Sequence, residues 1–238
     1  GVGFGASLYG AYRSQRTRRE FTAAVVADSG QGATAVSLED YQFWTGRVLG
    51  KIGLMWDRPS WSWGFTVTSP SLHVVGDGSS YVHQSITGID LDTNGTPESS
   101  LLADYQEDLD PRYQSPLSAA IGFSYHAKRA SLYLSGEWFD KVDEYTVMEG
   151  TPTVSQVPPD TTQARLVHEA ISVVNWAAGG SYQLSSTTTL FAGWAIDRSA
   201  YTGSLFKAVT ISNWNIYHVS FGSEFTFAAL EFTLGATY

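Results

Sequence analysis

The 238-residue sequence has no cysteine, which excludes a disulfide framework and a thiolate zinc site and leaves the redox compartment undetermined by thiols. Charged residues are only 16% of the chain, against the roughly 25% usual for soluble domains. The net charge is −9 and no Lys/Arg stripe is present, which excludes nucleic acid as a partner, because binding it requires displacing condensed counterions. No apolar run reaches the roughly 18 residues that a transmembrane helix needs. The opening Gly1-Val2-Gly3-Phe4 already alternates and carries no signal-peptide pattern, so a removed leader or a start inside a longer protein is expected. Aromatic residues are abundant instead, at 14%, with 8 Trp and 13 Tyr. The length suits one large all-β domain, 1–238.

The apolar residues follow a two-residue period, the signature of strands with two different faces. Val48, Gly50, Ile52, Leu54 and Trp56 oppose Arg47, Lys51 and Gly53. Trp61, Trp63, Phe65 and Val67 oppose Ser62, Gly64, Thr66 and Thr68. The same grammar runs through Leu117–His126, Ser131–Trp138, Val173–Asp197 and Tyr217–Tyr238, giving about ten strands, several of roughly 9 to 13 residues.

A soluble sandwich also alternates, but its outward face carries Lys, Glu and Arg. Here the polar parity is mostly Gly, Ser and Thr, and the apolar parity ends in Trp or Tyr. Aliphatic residues between terminal aromatics suit lipid, where indole and phenol rings sit at the headgroup level. Because lipid offers no partner to backbone N–H and C=O groups, such a sheet closes on itself. The expected fold is an antiparallel transmembrane β-barrel with the oily face outward and the small polar face lining the lumen.

Short connections are expected at Ser14–Arg18, Asp57–Ser60, Ala127–Arg129, Ser185–Thr187 and a tight reversal near Ala228; long ones at Ser29–Asp40, Gly76 to about Arg112, Thr146 to about Leu166, and Ser199–Ser212. Bacterial outer-membrane barrels have short periplasmic turns and long extracellular loops. On that assignment the first strand runs inward, the last runs outward and both chain ends lie outside the cell, so further strands are expected at each end.

Three segments resemble the FadL-type outer-membrane transporters of long-chain fatty acids and other hydrophobic compounds. They are Gly46–Trp56 with Trp63–Pro70; Pro116–Trp138 with Gly122 and Tyr125 before the turn; and Asn175-Trp176, Gly180, Tyr182, Leu190, Gly193 and Ala195-Ile196-Asp197. The resemblance covers roughly residues 41 to 238 and rests on Gly, Tyr and Trp patterns. It implies a barrel of about 14 strands, of which this chain supplies about ten, in the bacterial outer membrane. The family's N-terminal plug and closing strand have no counterpart, so no plug contact is carried over.

Inward-parity charges are candidate contacts for a ligand's path: Arg47, Lys51, His126, Glu137, His218 and Glu224, with Glu231 on the last strand. Pairing across the interior is the favoured reading, since unpaired charge away from water is costly. Asp90, Asp92, Asn94 and Glu98 place oxygens around Gly95 as a calcium loop does, though Leu101 stands where an EF-hand has its bidentate acid. From Asp90 to Asp110 there are seven acids and no Lys or Arg, repulsion that Ca2+ in an extracellular loop would relieve; the competing reading is a solvated loop with an Asn-Gly turn. Arg13, Arg16, Arg18 and Arg19 read as an interfacial basic turn, with anionic headgroups or a periplasmic partner as the functional alternative.

No catalytic residue is assigned, since His126 or His218 beside a serine is no Ser–His–acid set, and no cofactor is required. The expected function is outer-membrane transport of hydrophobic compounds such as long-chain fatty acids. The alternative is a non-transporting scaffold barrel that docks proteins through its loops. Expected partners are membrane lipid and lipopolysaccharide, a hydrophobic small molecule, and a protein that completes or plugs the barrel.

Overall fold

The computed structural model of the chain describes residues 1–26, 32–90, 95–155, 161–204, 209 and 213–238. Fifteen strands and no helix are found among them: β1 (Val2–Val26), β2 (Gly32–Asp57), β3 (Trp61–Thr68), β4 (Leu72–Ile89), β5 (Glu98–Leu109), β6 (Ser118–His126), β7 (Ala130–Phe139), β8 (Val142–Glu149), β9 (Thr153–Val154), β10 (Thr161–Thr162), β11 (Arg165–Ala170), β12 (Val173–Gln183), β13 (Thr188–Asp197), β14 (Ile216–Phe227) and β15 (Leu230–Thr237). Every pairing is antiparallel. The main sheet has 11 strands; β9–β10 and β8–β11 form separate pairs.

Register shows how these pieces make longer spans. β2 pairs along its length with β1, and on its other edge with β3 at one end and β4 at the other, so β3 and β4 are one span interrupted at Ser69-Pro70-Ser71. β5 pairs β4 and β6 pairs β3, so these two also form one span, interrupted at 110–117. β7 continues into β8, and β11 into β12. Pro70, Pro111 and Pro116 sit in the interruptions, where the missing N–H cannot serve a ladder. The result is an up-and-down meander, with β13, β14 and β15 completing it.

The inside-out expectation holds. On β2, Tyr41, Phe43, Thr45 and Arg47 are buried on one face, while Ile52 (54%), Leu54 and Trp56 are exposed on the other. Phe221 (64%) and Phe232 are also exposed. Outward aromatics form two levels. Tyr12 stacks on Trp44 at 6.1 Å and Trp176 meets Trp194 at 4.1 Å toward the loops. Trp56 meets Trp61 at 5.4 Å and Trp63 meets Phe123 at 4.6 Å toward the turns. From Trp44 to Trp56 is about 40 Å of strand at 3.3 Å per residue, about 28 Å high at a barrel tilt near 45°. That matches a hydrocarbon core. Backbone turns close as expected at Asp57–Trp61, Ala127–Ala130, Leu184–Thr188 and Phe227–Leu230, the last with Ala228 at φ 53°.

Several expected loops are strand. Ser14–Arg18 is no turn: β1 runs straight through it, with Arg13, Gln15, Thr17 and Arg19 on the inner parity and Arg16 and Arg18 outside. Ser29–Asp40 is mostly β2, and Gly76–Arg112 is largely β4 and β5. Beyond the aromatic level the outer face meets water, so polar residues occupy it too, and the oily/wet alternation fades although the strands continue. Arg16 pairs with Asp40, Arg18 with Glu20 at 3.1 Å and Arg19 with Glu39 at 3.4 Å. β1 therefore runs from the turn end to the loop end, the reverse of the expected direction, and the chain's first residues lie at the turn end.

The sheet curls. Gln15 Nε2 on β1 donates to the Val209 carbonyl of the β13–β14 connection, which brings distant parts of the meander together over the concave face. There Tyr41, Phe43, Val82, Leu102, Val147, Met148, Ala164, Leu166 and Val209 form the core cluster. Gly78 makes room for it. A Cβ at that position would stand 2.5 Å from Met148 Sδ and 3.0 Å from the Gln42 carbonyl. Gly78→Ala is expected to destabilise by about 1–3 kcal/mol, read as a lowered unfolding midpoint in detergent.

Candidate functional site: a cationic and aromatic girdle on the inner face

The connection 110–117, Asp-Pro-Arg-Tyr-Gln-Ser-Pro-Leu, crosses the inner face as a strap. Its prolines keep it out of the ladder, and three of its amides find other acceptors. Arg112 N–H donates to the Val147 carbonyl at 2.7 Å, Gln114 N–H to the Tyr145 hydroxyl at 2.9 Å and Ser115 N–H to Ser71 Oγ at 2.8 Å. Asp110 accepts from Arg112 at 3.1 Å and lies 3.3 Å from His73 Nε2.

The strap delivers Tyr113 to two arginines. The Arg13 guanidinium lies 4.1 Å and that of Arg47 4.9 Å from the Tyr113 ring centroid, within cation–π range. Arg13 also donates to Gln15 Oε1, and Arg47 Nη1 donates to Ser115 Oγ at 2.6 Å. Among the described residues neither arginine has a carboxylate within ion-pair distance. Arg47 is 8% and Thr45 0% exposed, and both Arg47 Nε and Thr45 Oγ1 are buried without a hydrogen-bond partner.

Strands β8 and β11, beyond the Trp138/Trp176 level, supply the other side. The His168 ring stacks on Tyr113 at 5.3 Å and meets Tyr145 edge-on at 5.9 Å. Its Nδ1 accepts the Val209 N–H at 3.3 Å, so that nitrogen is unprotonated. Burial, and then the Arg13 charge, pull His168 down to about 4, with Glu169 opposing; burial pushes the Tyr145 hydroxyl up. Above the ordinary histidine pKa near 6.5, both folded and unfolded chains carry neutral His168 and its stabilising contribution is complete. As pH falls from about 6.5 to about 4 the unfolded chain binds the proton first, and stability is lost across that window. The expected loss is up to about 3 kcal/mol, and His168→Phe should flatten that part of a plot of unfolding midpoint against pH.

The apolar cluster adjoins this girdle on the loop side. Next to it is a cavity of about 110 Å³ bordered by Glu39, Tyr41, Gln84, Asp104, Gln163 and Arg165. Of the residues expected along the lumen, Arg47 alone enters the girdle. Lys51 and Glu224 face inward elsewhere on the wall, Glu231 is exposed on β15, and Glu137 accepts from Ser118 Oγ at 3.0 Å. His126 lies 3.2 Å from Ser124 Oγ and 3.0 Å from Ser131 Oγ, in a row of hydroxyls near the turn end. His218 Nε2 lies 3.0 Å from Asp197.

Interior pairing, the expected arrangement, is thus found for His218 only: among the described residues Arg47, Lys51, Glu137, Glu224 and Glu231 form no ion pair. Glu224 and Glu231 lie side by side on the paired strands β14 and β15, and Arg47, Lys51 and Glu137 are spread along the rest of the wall. Asp92 and Asn94 of the calcium loop lie outside the described residues. Asp90 accepts the Gly95 N–H at 2.7 Å. No group of three or more His, Asp or Glu suited to a metal is found among the described residues.

Arg13, Tyr113, Ser115, Tyr145 and His168 were not legible as a site. The one available signal was parity, since Arg13, Gln15, Thr17 and Arg19 continue the inner-face alternation of the Gly3–Ala11 stretch.

No family model matches the sequence, and no curated protein matches it significantly. Solved structures do. The CymD monoaromatic hydrocarbon channel is 14% identical, with 99% of this chain and 64% of that one covered and a TM-score of 0.57. A TodX monoaromatic hydrocarbon channel lacking S2 and S3 is 16% identical, with 99% and 60% covered and a TM-score of 0.63. The P. putida toluene transporter TodX is 16% identical, with 99% and 58% covered and a TM-score of 0.57. The chain therefore spans less than two thirds of the length of these channels, and it shares the fold of their β-barrel wall.

Proposed function

We propose that this chain is barrel wall of a FadL-type transporter in the bacterial outer membrane, and that the protein passes hydrophobic compounds, long-chain fatty acids among them, from the loop end inward. One observation carries the reading: a sheet with the fold of hydrocarbon channels turns an aliphatic band with aromatic borders outward while holding a second apolar cluster on its concave side. The outer band suits lipid. The inner cluster offers a tail a dry surface. Burying roughly 300 Å² of ligand at about 25 cal/mol per Å² gives about 7 kcal/mol before ordering costs. Binding needs no chemistry.

The cluster is packed, so passage is a displacement and not diffusion through an open pore. A ligand takes the place of side chains such as Phe43 and Leu166, and release follows laterally or into the periplasm. The two arginines of the girdle supply a stop for a polar head, which supports fatty acids over hydrocarbon alone. The test is uptake of radiolabelled oleate and of toluene by Gram-negative cells lacking their own transporter and expressing this protein. Accumulation of either above the empty-vector control is expected. No accumulation of either, with folded protein in the outer membrane that binds neither in detergent, overturns the reading.

A further inference from the structure

Resting on the reading of this chain as outer-membrane wall, we infer that the neighbouring turns 57–60 and 127–129 form a docking surface for an anionic glycerophospholipid of the periplasmic leaflet, its phosphate held by Arg58, Lys128 and Arg129. The short turns of such barrels face the periplasm. Here they read Asp-Arg-Pro-Ser at 57–60, Ala-Lys-Arg at 127–129, Leu-Ser-Ser-Thr at 184–187 and Ala-Ala at 228–229. In a chain of net charge −9 these turns carry three cations against the single acid Asp57, and all three cations sit on two of them. Those two are adjacent. β3 pairs β6, and the His126 N–H donates to the Ser60 carbonyl at 2.8 Å, so one turn is tied to the other. Each is also closed on itself, by Arg58 N–H to the Trp61 carbonyl at 2.9 Å and by Ala127 N–H to the Ala130 carbonyl at 2.7 Å.

Arg58, Lys128 and Arg129 are exposed, and among the described residues none of them has a carboxylate within ion-pair distance. At the loop end, by contrast, Arg16, Arg18 and Lys141 pair with Asp40, Glu20 and Asp143. The Arg58 guanidinium lies 5.6 Å from the centroid of the Trp56 ring, which meets Trp61 edge-on. That contact holds the charge at the outward aromatic level, the headgroup depth of the leaflet, and leaves an N–H edge for phosphate oxygens. Tyr125, outward on β6 and opposite Trp61, borders the same level. Directly beyond it toward mid-membrane come the exposed Phe65 and Ile121, also paired across β3 and β6. A lipid seated here sets its phosphate on the cations and its tails along the aliphatic band. That continuity favours a lipid over a soluble anion or an acidic protein, which would use the cations and leave the band untouched.

Dioctanoyl phosphatidylglycerol and dioctanoyl phosphatidylcholine share their tails and differ in headgroup charge, so titrating each into the detergent-purified protein at low ionic strength isolates the phosphate's net charge. The glycerol lipid is expected to bind at least about tenfold more tightly, since a basic residue near an anionic lipid contributes on the order of a fewfold each. It should also slow hydrogen exchange at the amides of Arg58 and Ala127, and most of the preference should vanish in about 1 M salt. Changing Arg58→Gln, Lys128→Gln and Arg129→Gln together should bring the two lipids level without weakening the choline lipid. Changing Arg16→Gln, Arg18→Gln and Lys141→Gln together removes the same charge from the loop end and should keep the preference. Heat-modifiable gel mobility checks that each variant is folded. Equal affinities in the wild type, a preference that survives the turn variant or high salt, or one lost equally in the loop-end variant overturns the surface. Inorganic phosphate or hexaglutamate at matched ionic strength should not displace the lipid; displacement by either assigns the turns to small anions or to an acidic protein, and the proposal fails. Uptake of oleate and toluene is read separately, so loss of the lipid preference with uptake intact overturns the surface and leaves the transport reading standing.

Discussion

Phe221→Arg is expected to stop the chain from assembling in lipid, while Ser220→Arg, the neighbouring substitution, is expected to be tolerated. Phe221 points outward near the middle of the aliphatic band, between Tyr217 and Phe225 on β14. A guanidinium there costs about 2–4 kcal/mol at the bilayer midplane, because the charge must be carried into hydrocarbon or dragged to an interface. Ser220 lies on the opposite parity and meets the concave side, where an arginine finds water and the hydroxyls of the wall. In a water-soluble sheet the order would reverse, since the exposed phenylalanine would be the harmless site. The measurement is a urea titration of folding into phospholipid vesicles, followed by heat-modifiable gel mobility. If Ser220→Arg proves the more damaging of the two, the outward band does not face lipid.

Phe43→Ala and Leu166→Ala should each remove about 2–5 kcal/mol from the loop-end cluster. Phe43 is 2% and Leu166 0% exposed, and they come from β2 and β11, which the curl of the sheet brings to one core. The loss should be local. Backbone amides of β8 and β11 are tied to each other and not to the main ladder, so their hydrogen exchange should accelerate while β12–β14 keep their protection. A uniform loss of protection across all strands would show that the cluster is not a separate unit. The same variants test the transport reading: enlarging the packed cluster should ease entry of a hydrophobic ligand even as it lowers stability.

The strand class, the sign of each face and the positions of the short reversals follow from residues alone, because between the aromatic levels the two sides of the wall meet different solvents. Ile52, Leu54 and Trp56 against Lys51 and Gly53 could not be arranged otherwise without exposing polar groups to hydrocarbon. The legibility ended at Tyr12 and Trp44. Past that level both sides admit polar side chains, so Arg16, Arg18 and Asp40 read as loop although β1 and β2 pair without interruption from Val2 to Val26. The reversal of direction inferred for β1 was a consequence of that one error.

The girdle could not be reached from the sequence at all. Residues 13, 47, 113, 145 and 168 have no shared period or spacing. They meet because the sheet curls and because Pro111 and Pro116 divert a stretch of would-be strand across the concave face. Alternation is a local consequence of solvent on either side of a strand, and residues decide it two at a time. Which distant side chains share the enclosed space depends on curvature and on one displaced connection, and only the tertiary structure decides those.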